Sequence, residues 1–154
     1  MDALPPSTRA GADRALRVLR EAFGDDLRSV ALFGSRARGD AREESDYDFA
    51  VVVSRRDPDP YARASRAKIR LGIQEPPHLS FVLWSSEELL RHPWLLIDVA
   101  TDGIVILDDG GLERELSDVR GRLRTYGARR VHLPDGTWYW DLKPDWKPGD
   151  VVEI

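Results

Sequence analysis

The run YDFAVVV, Tyr47 to Val53, constrains the fold more than any other segment of the chain. It is short, rich in β-branched residues and apolar at every position after Asp48, so it reads as a central strand rather than an edge strand. Three other segments can join it. SVALF (Ser29 to Phe33) is cut off by Gly34, HLSFVLW (His78 to Trp84) follows the breaker pair Pro76-Pro77, and GIVILDD spans Gly103 to Asp109. Helical patterns separate them. Ser7 is placed to cap a helix running to Phe23, with Ala15, Leu16, Val18, Leu19, Ala22 and Phe23 as its apolar stripe and Gly24 as its stop. YARASRAKIRLGI is a second helix, EELL after Ser85 or Ser86 a short third, and PWLLIDVA a fourth with proline near its first turn. GLERELSDVRGRLRTYG is a fifth, with Leu112, Leu116, Val119 and Leu123 on one side and Gly127 at its end.

Strands alternating with helices define an α/β class. RRVHLPDGTWYWDL reads as a β-hairpin around Pro134-Asp135-Gly136, and its antiparallel strands are expected to make the sheet mixed. The expected organisation is a main domain over residues 1–108, with residues 109–154 as a C-terminal helix and hairpin extension packed on the same domain. In TWYW, Trp138 and Trp140 share one face of a strand and Tyr139 the other, and core packing of the hairpin is the expected use of that pair.

At 154 residues, 42% of them apolar, the chain can bury one substantial core. Its net charge of −4 makes it a poor ligand for nucleic acid, which is held largely by basic patches. No apolar run approaches the roughly 18 residues of a membrane span. The start MDALPPSTRAGADRAL lacks the apolar stretch of a secretory signal, and cysteine is absent, so a cytoplasmic location is expected.

The chemistry concentrates between Gly34 and Asp48. Gly34-Ser35 follows the first strand, ten residues intervene, and Asp46-Tyr47-Asp48 opens the next. Residues two apart in a strand share a face, so the two carboxylates are expected side by side, where each raises the other's pKa unless a cation compensates. Mg²⁺ favours such oxygen ligands and completes its octahedron with water and substrate phosphates. Gly34 lets the backbone approach a phosphate, Ser35 adds a hydroxyl and an N–H, and Arg36, ahead of Arg38 and Arg42, is the expected phosphate-binding guanidinium. P-loop and dinucleotide-binding glycine patterns are missing, and His78, His92 and His132 lack zinc-site spacing.

This Gly-Ser, ten-residue, Asp-x-Asp arrangement resembles the minimal nucleotidyltransferases of the DNA polymerase beta-like nucleotidyltransferase superfamily, most closely over residues 27–53. HPWLLIDVATDGIVILDD and the segment from Gly127 onward also look like the C-terminal portion of longer bacterial and archaeal members. The resemblance implies a nucleotidyltransferase fold, a mixed sheet flanked by helices. It also implies two Mg²⁺ ions on Asp46 and Asp48, and phosphates of ATP or another nucleoside triphosphate on Gly34 and Ser35. The implied reaction moves a nucleoside monophosphate, AMP from ATP, to a hydroxyl of a small molecule such as an aminoglycoside-type antibiotic or of a protein. Some such proteins are antitoxins that adenylylate a tyrosine of a HEPN-type RNase toxin, so a HEPN-domain partner is a family-level expectation. The chain departs from the pattern in one place. Most active members add a third carboxylate from the next strand, and here that slot holds Ser80, a neutral side chain. Glu75, His78 and Asp98 are the alternatives for that role, and a nucleotide- or partner-binding module without catalysis is the competing reading.

Overall fold

The computed structural model describes residue 4, residues 6–55 and residues 57–154. Among the described residues, four strands form the main sheet: β1 (Leu27–Phe33), β2 (Tyr47–Val53), β3 (Leu79–Ser85) and β4 (Ile104–Leu107), in the order β3-β2-β1-β4. β2 is interior, as its composition predicts. It runs antiparallel to β1 and parallel to β3, while β4 is antiparallel to β1. The main sheet is therefore mixed through its own pairings. The C-terminal hairpin, β5 (Arg129–His132) with β6 (Trp138–Asp141), forms a separate two-stranded sheet, so it does not supply the mixed character expected of it.

Helices cover both faces. α1 (Pro6–Phe23) and α3 (Pro60–Arg70) bury Ala15, Val18, Leu19, Ala64 and Ala67 against Val30, Leu32, Phe49, Val51 and Leu83. α5 (Leu96–Asp102) and α6 (Gly111–Tyr126) bury Leu96, Val99, Leu112, Leu116 and Val119 against Ala31, Ala50, Val52 and Trp84. Alternation along β1 and β2 thus feeds two cores, one per face. Each fully buried apolar side chain contributes roughly 1.5–3 kcal/mol. No described helix is long and apolar enough to cross a membrane.

Local chemistry fixes the ends. The Asp59 carboxylate accepts from the Ala62 N–H at 3.2 Å, with Pro60 opening α3. Ser85 and Glu88 form a reciprocal capping box at α4 (Ser86–Leu89). The Asp108 carboxylate accepts from the Leu112 and Glu113 N–H groups, both at 3.1 Å, and from the buried Ser29 hydroxyl at 2.6 Å, bolting the start of α6 to β1. Pro93 lies three residues before α5 rather than in its first turn. The Ser7 side chain, expected as the α1 cap, lies outside the described residues.

Candidate active site

The site forms where β1 ends, a short helix α2 (Gly34–Arg38) turns the chain, and β2 begins. Phe33 pairs with Asp48 and Asp48 with Ser80, so three strands present one row across the sheet. Gly34 has φ +72°, a left-handed conformation that side chains resist. A Cβ there would also lie 2.7 Å from Asp48 Oδ2. The glycine is therefore required twice, by its own backbone and by the carboxylate beside it. Gly39, at φ +84°, ends α2, and the Ser35 carbonyl accepts from the Gly39 and Asp40 N–H groups at 2.9 and 3.2 Å.

The two acids sit in unlike environments. Asp48 is half-buried, and burial pushes its carboxyl above the usual carboxylate range; the Ser80 hydrogen bond draws it back, Asp46 raises it further and Arg38 lowers it. Asp46 is exposed and lies just before β2, with its Oδ1 accepting from the His78 N–H at 3.1 Å. Next to it the Tyr47 N–H donates to the His78 carbonyl at 2.9 Å, tying the acid pair to the entry of β3.

The arginines divide their work. Arg36 Nε and Nη2 donate to the Ser45 carbonyl at 3.1 and 2.6 Å, Nη2 reaches the Glu43 carbonyl at 2.8 Å, and the guanidinium lies 4.3 Å over the Tyr47 ring. Arg38 pairs with Asp40 at 3.1 Å, and its charge reaches Asp48. Among the described residues, no candidate for a third acid gathers with the pair into a three-ligand group, and His78 meets Asp46 only through its backbone N–H. Glu75 is exposed, and its carbonyl is held by Arg14 at 2.9 Å. The His78 ring approaches the Gln74 carbonyl through Nδ1 at 3.1 Å. Asp98 accepts from Trp140 Nε1 at 3.1 Å and lies 3.9 Å from Arg130, so it anchors the C-terminal hairpin. Ser80 is the residue the sheet brings alongside Asp48.

Lys68, outside the Gly-Ser and Asp-x-Asp motif, also borders the site. Its ammonium donates to the Leu79 carbonyl and lies 4.6 Å over the Phe81 ring, one residue to either side of Ser80. Burial pushes it below the usual lysine range, opposed by the charge of Asp46. The available signal was its isolation as the sole lysine before Lys143 in an arginine-rich chain.

Among the described residues no group of three or more His, Asp or Glu side chains gathers to hold a metal. The Asp46–Asp48 pair still fits a divalent cation. The Asp48 carboxyl is pushed up first by burial and further by Asp46, a cost a bound cation would offset, and the remaining positions suit phosphate oxygens and water.

Residues 12–107 match the nucleotidyltransferase domain family. A Methanocaldococcus jannaschii protein provisionally named a protein adenylyltransferase is 51% identical over 41 residues, which are 27% of this chain and 28% of that protein. Among solved structures, spectinomycin adenyltransferase AAD(9) from Enterococcus faecialis with ATP and spectinomycin aligns with TM-score 0.55 at 18% identity, covering 77% of this chain and 66% of that one. A toxin-antitoxin MntA–HpeT mutant aligns with TM-score 0.52 at 19% identity, covering 74% and 86%. At such identities these structures establish a shared fold.

Proposed function

This chain belongs to the nucleotidyltransferase domain family, and from that premise we propose that it moves AMP from ATP to a hydroxyl on a protein partner. The observation that carries the proposal is the Gly34–Asp48 contact, in which a Cβ would lie 2.7 Å from the carboxylate oxygen. It makes the expected phosphate-binding turn and the expected metal-binding acid one structural unit.

Gly34 and Ser35 would bind the β- and γ-phosphates through backbone N–H groups and the Ser35 hydroxyl. Asp46 and Asp48 would hold Mg²⁺, which when bound neutralises triphosphate charge and stabilises the leaving pyrophosphate. Arg38, whose charge already reaches Asp48, is better placed for phosphate than Arg36, whose Nε and Nη2 are engaged on carbonyls. The acceptor oxygen forms a bond to the α-phosphorus, the bond to the bridging oxygen breaks, pyrophosphate leaves with that electron pair, and the hydroxyl proton passes to water. A protein acceptor is supported by the name of the archaeal relative, and a toxin as that protein by the toxin-antitoxin neighbour; the HEPN-type toxin expected from the motif resemblance is the acceptor we propose. The spectinomycin enzyme supports a small-molecule acceptor instead.

Ser80 favours a second reading, a module that binds nucleotide or partner without transfer, because the position paired with Asp48 carries no charge. Incubation with Mg²⁺ and α-labelled ATP, with and without a HEPN partner, separates the two. Label on the partner, lost in Asp46→Asn and Asp48→Asn variants that still fold, supports the enzyme. ATP binding with no label transferred supports the module.

A further inference from the structure

We propose that Arg36 and Arg14 are positioning residues that clamp Asp46 from its two sides, and that Arg36 is not a phosphate ligand although it stands inside the motif. The inference rests on the reading of Asp46 as a metal-binding acid. Asp46 lies outside β2, so the ladder that fixes Asp48 does not fix it. An exposed carboxylate on a connecting segment samples many positions, and ordering it on binding would cost affinity. The structure orders it beforehand.

On the N-terminal side, Arg36 grips the Glu43 and Ser45 carbonyls with three hydrogen bonds of 2.6–3.1 Å, and Ser45 is the residue before Asp46. On the opposite side, Arg14 of α1 donates from Nη2 to the Glu75 carbonyl at 2.9 Å and from Nη1 to the Pro77 carbonyl at 3.3 Å. Pro77 directly precedes His78, whose N–H meets Asp46 Oδ1 at 3.1 Å and whose carbonyl accepts from Tyr47. The Tyr47 ring lies under the Arg36 guanidinium at 4.3 Å and against Gly11, where a Cβ would come within 2.3 Å of Tyr47 Cε1. Gly11 and Arg14 are three apart on α1, hence on one face. One helix therefore seats both the central residue of Asp-x-Asp and the segment that hydrogen-bonds its first acid. Both clamps use the planar two-nitrogen fork, which lysine cannot reproduce.

The test compares the full chain with Arg14→Met, Arg14→Lys, Arg36→Lys and Arg38→Met. The readouts are the Mg²⁺ concentration needed for ATP to raise the melting temperature, hydrogen exchange of the His78 amide, and kcat against KM for ATP. Arg14→Met and Arg36→Lys are expected to raise the Mg²⁺ requirement about tenfold, the size typical of groups that orient metal ligands. They should lower kcat while leaving KM for ATP within about twofold, and Arg14→Met should speed His78 exchange. Arg14→Lys, keeping one donor nitrogen in place of two, should recover part of both effects, whereas Arg38→Met should act on KM. An Arg36→Lys variant that raises KM for ATP alone, or an Arg14→Met variant with unchanged Mg²⁺ requirement and His78 exchange, overturns the proposal. If the chain transfers no AMP to any acceptor, exchange at His78 still reads the clamp, so loss of the transferase reading and loss of the clamp appear in different measurements.

Discussion

Gly34 and Asp48 are the residues on which the site turns. Replacing Gly34 by alanine imposes a left-handed conformation on a residue with a side chain, at about 1–2 kcal/mol, and drives its Cβ into Asp48. The expected outcome is a lower melting temperature together with loss of the rise that ATP and Mg²⁺ produce in the wild type; retention of that rise would show that the turn and the acid are independent. Asp48 carries a pH signature. Its native pKa is raised above 3.8, so the folded state binds a proton more tightly than the unfolded state, and the stabilisation this gives is lost as pH rises through the native value. Asp48→Asn should therefore melt at or above the wild-type temperature near pH 7 in the absence of divalent ions, with the advantage vanishing below about pH 4 as the wild-type carboxyl protonates. Ser80→Asp is the complementary change. It places a second charge opposite Asp48 and removes a hydrogen bond, so it should lower the melting temperature without Mg²⁺, recover it with Mg²⁺, and raise any AMP transfer by about 10²-fold or more if a missing base limits the rate. The Gly-Ser and Asp-x-Asp spacing was legible because it is local in sequence. The engagement of Arg36 with carbonyls nine and seven residues on was not, because an arginine beside a phosphate motif and one folded back on its loop have identical sequences.

Among the elements, β2 was legible to the residue because its apolar run after Asp48 admits no exposed face. The C-terminal hairpin was legible in its turn, its antiparallel pairing and the outward Tyr139, but its separation from the main sheet was not. Four-residue strands carry too little pattern to specify a neighbour, and what holds them is a set of long-range side-chain contacts. Arg130 lies 4.3 and 5.0 Å over the Trp138 and Trp140 rings and donates to Asp102 of α5 at 2.7 Å, while Trp140 reaches Asp98. These contacts explain why Asp98, a candidate for the third acid by sequence, serves the hairpin. Trp140→Ala removes a hydrogen bond and a ring packed on the second core, and should destabilise the chain by about 2–3 kcal/mol, read by urea denaturation, while leaving Mg²⁺-dependent ATP binding within about twofold. A large loss of ATP binding would instead place the hairpin in the site.

In the whole molecule, two cores back a single sheet, and the acid pair stands at one end of it, where β1 hands over to α2 and β2 emerges beside β3. Residues 12–107, the extent of the family match, contain this entire constellation as well as Arg14 and Lys68. On the function proposed above, Gly34-Ser35 and Asp46-x-Asp48 form one site for a magnesium-bound nucleoside triphosphate. Calorimetric titration of ATP into the full chain, with and without Mg²⁺, for the wild type and the Asp46→Asn, Asp48→Asn double variant, tests it most directly. ATP binding is expected to require Mg²⁺ in the wild type and to weaken at least about tenfold in the folded double variant. Binding that is equally strong without Mg²⁺, or unchanged by the double substitution, would contradict it.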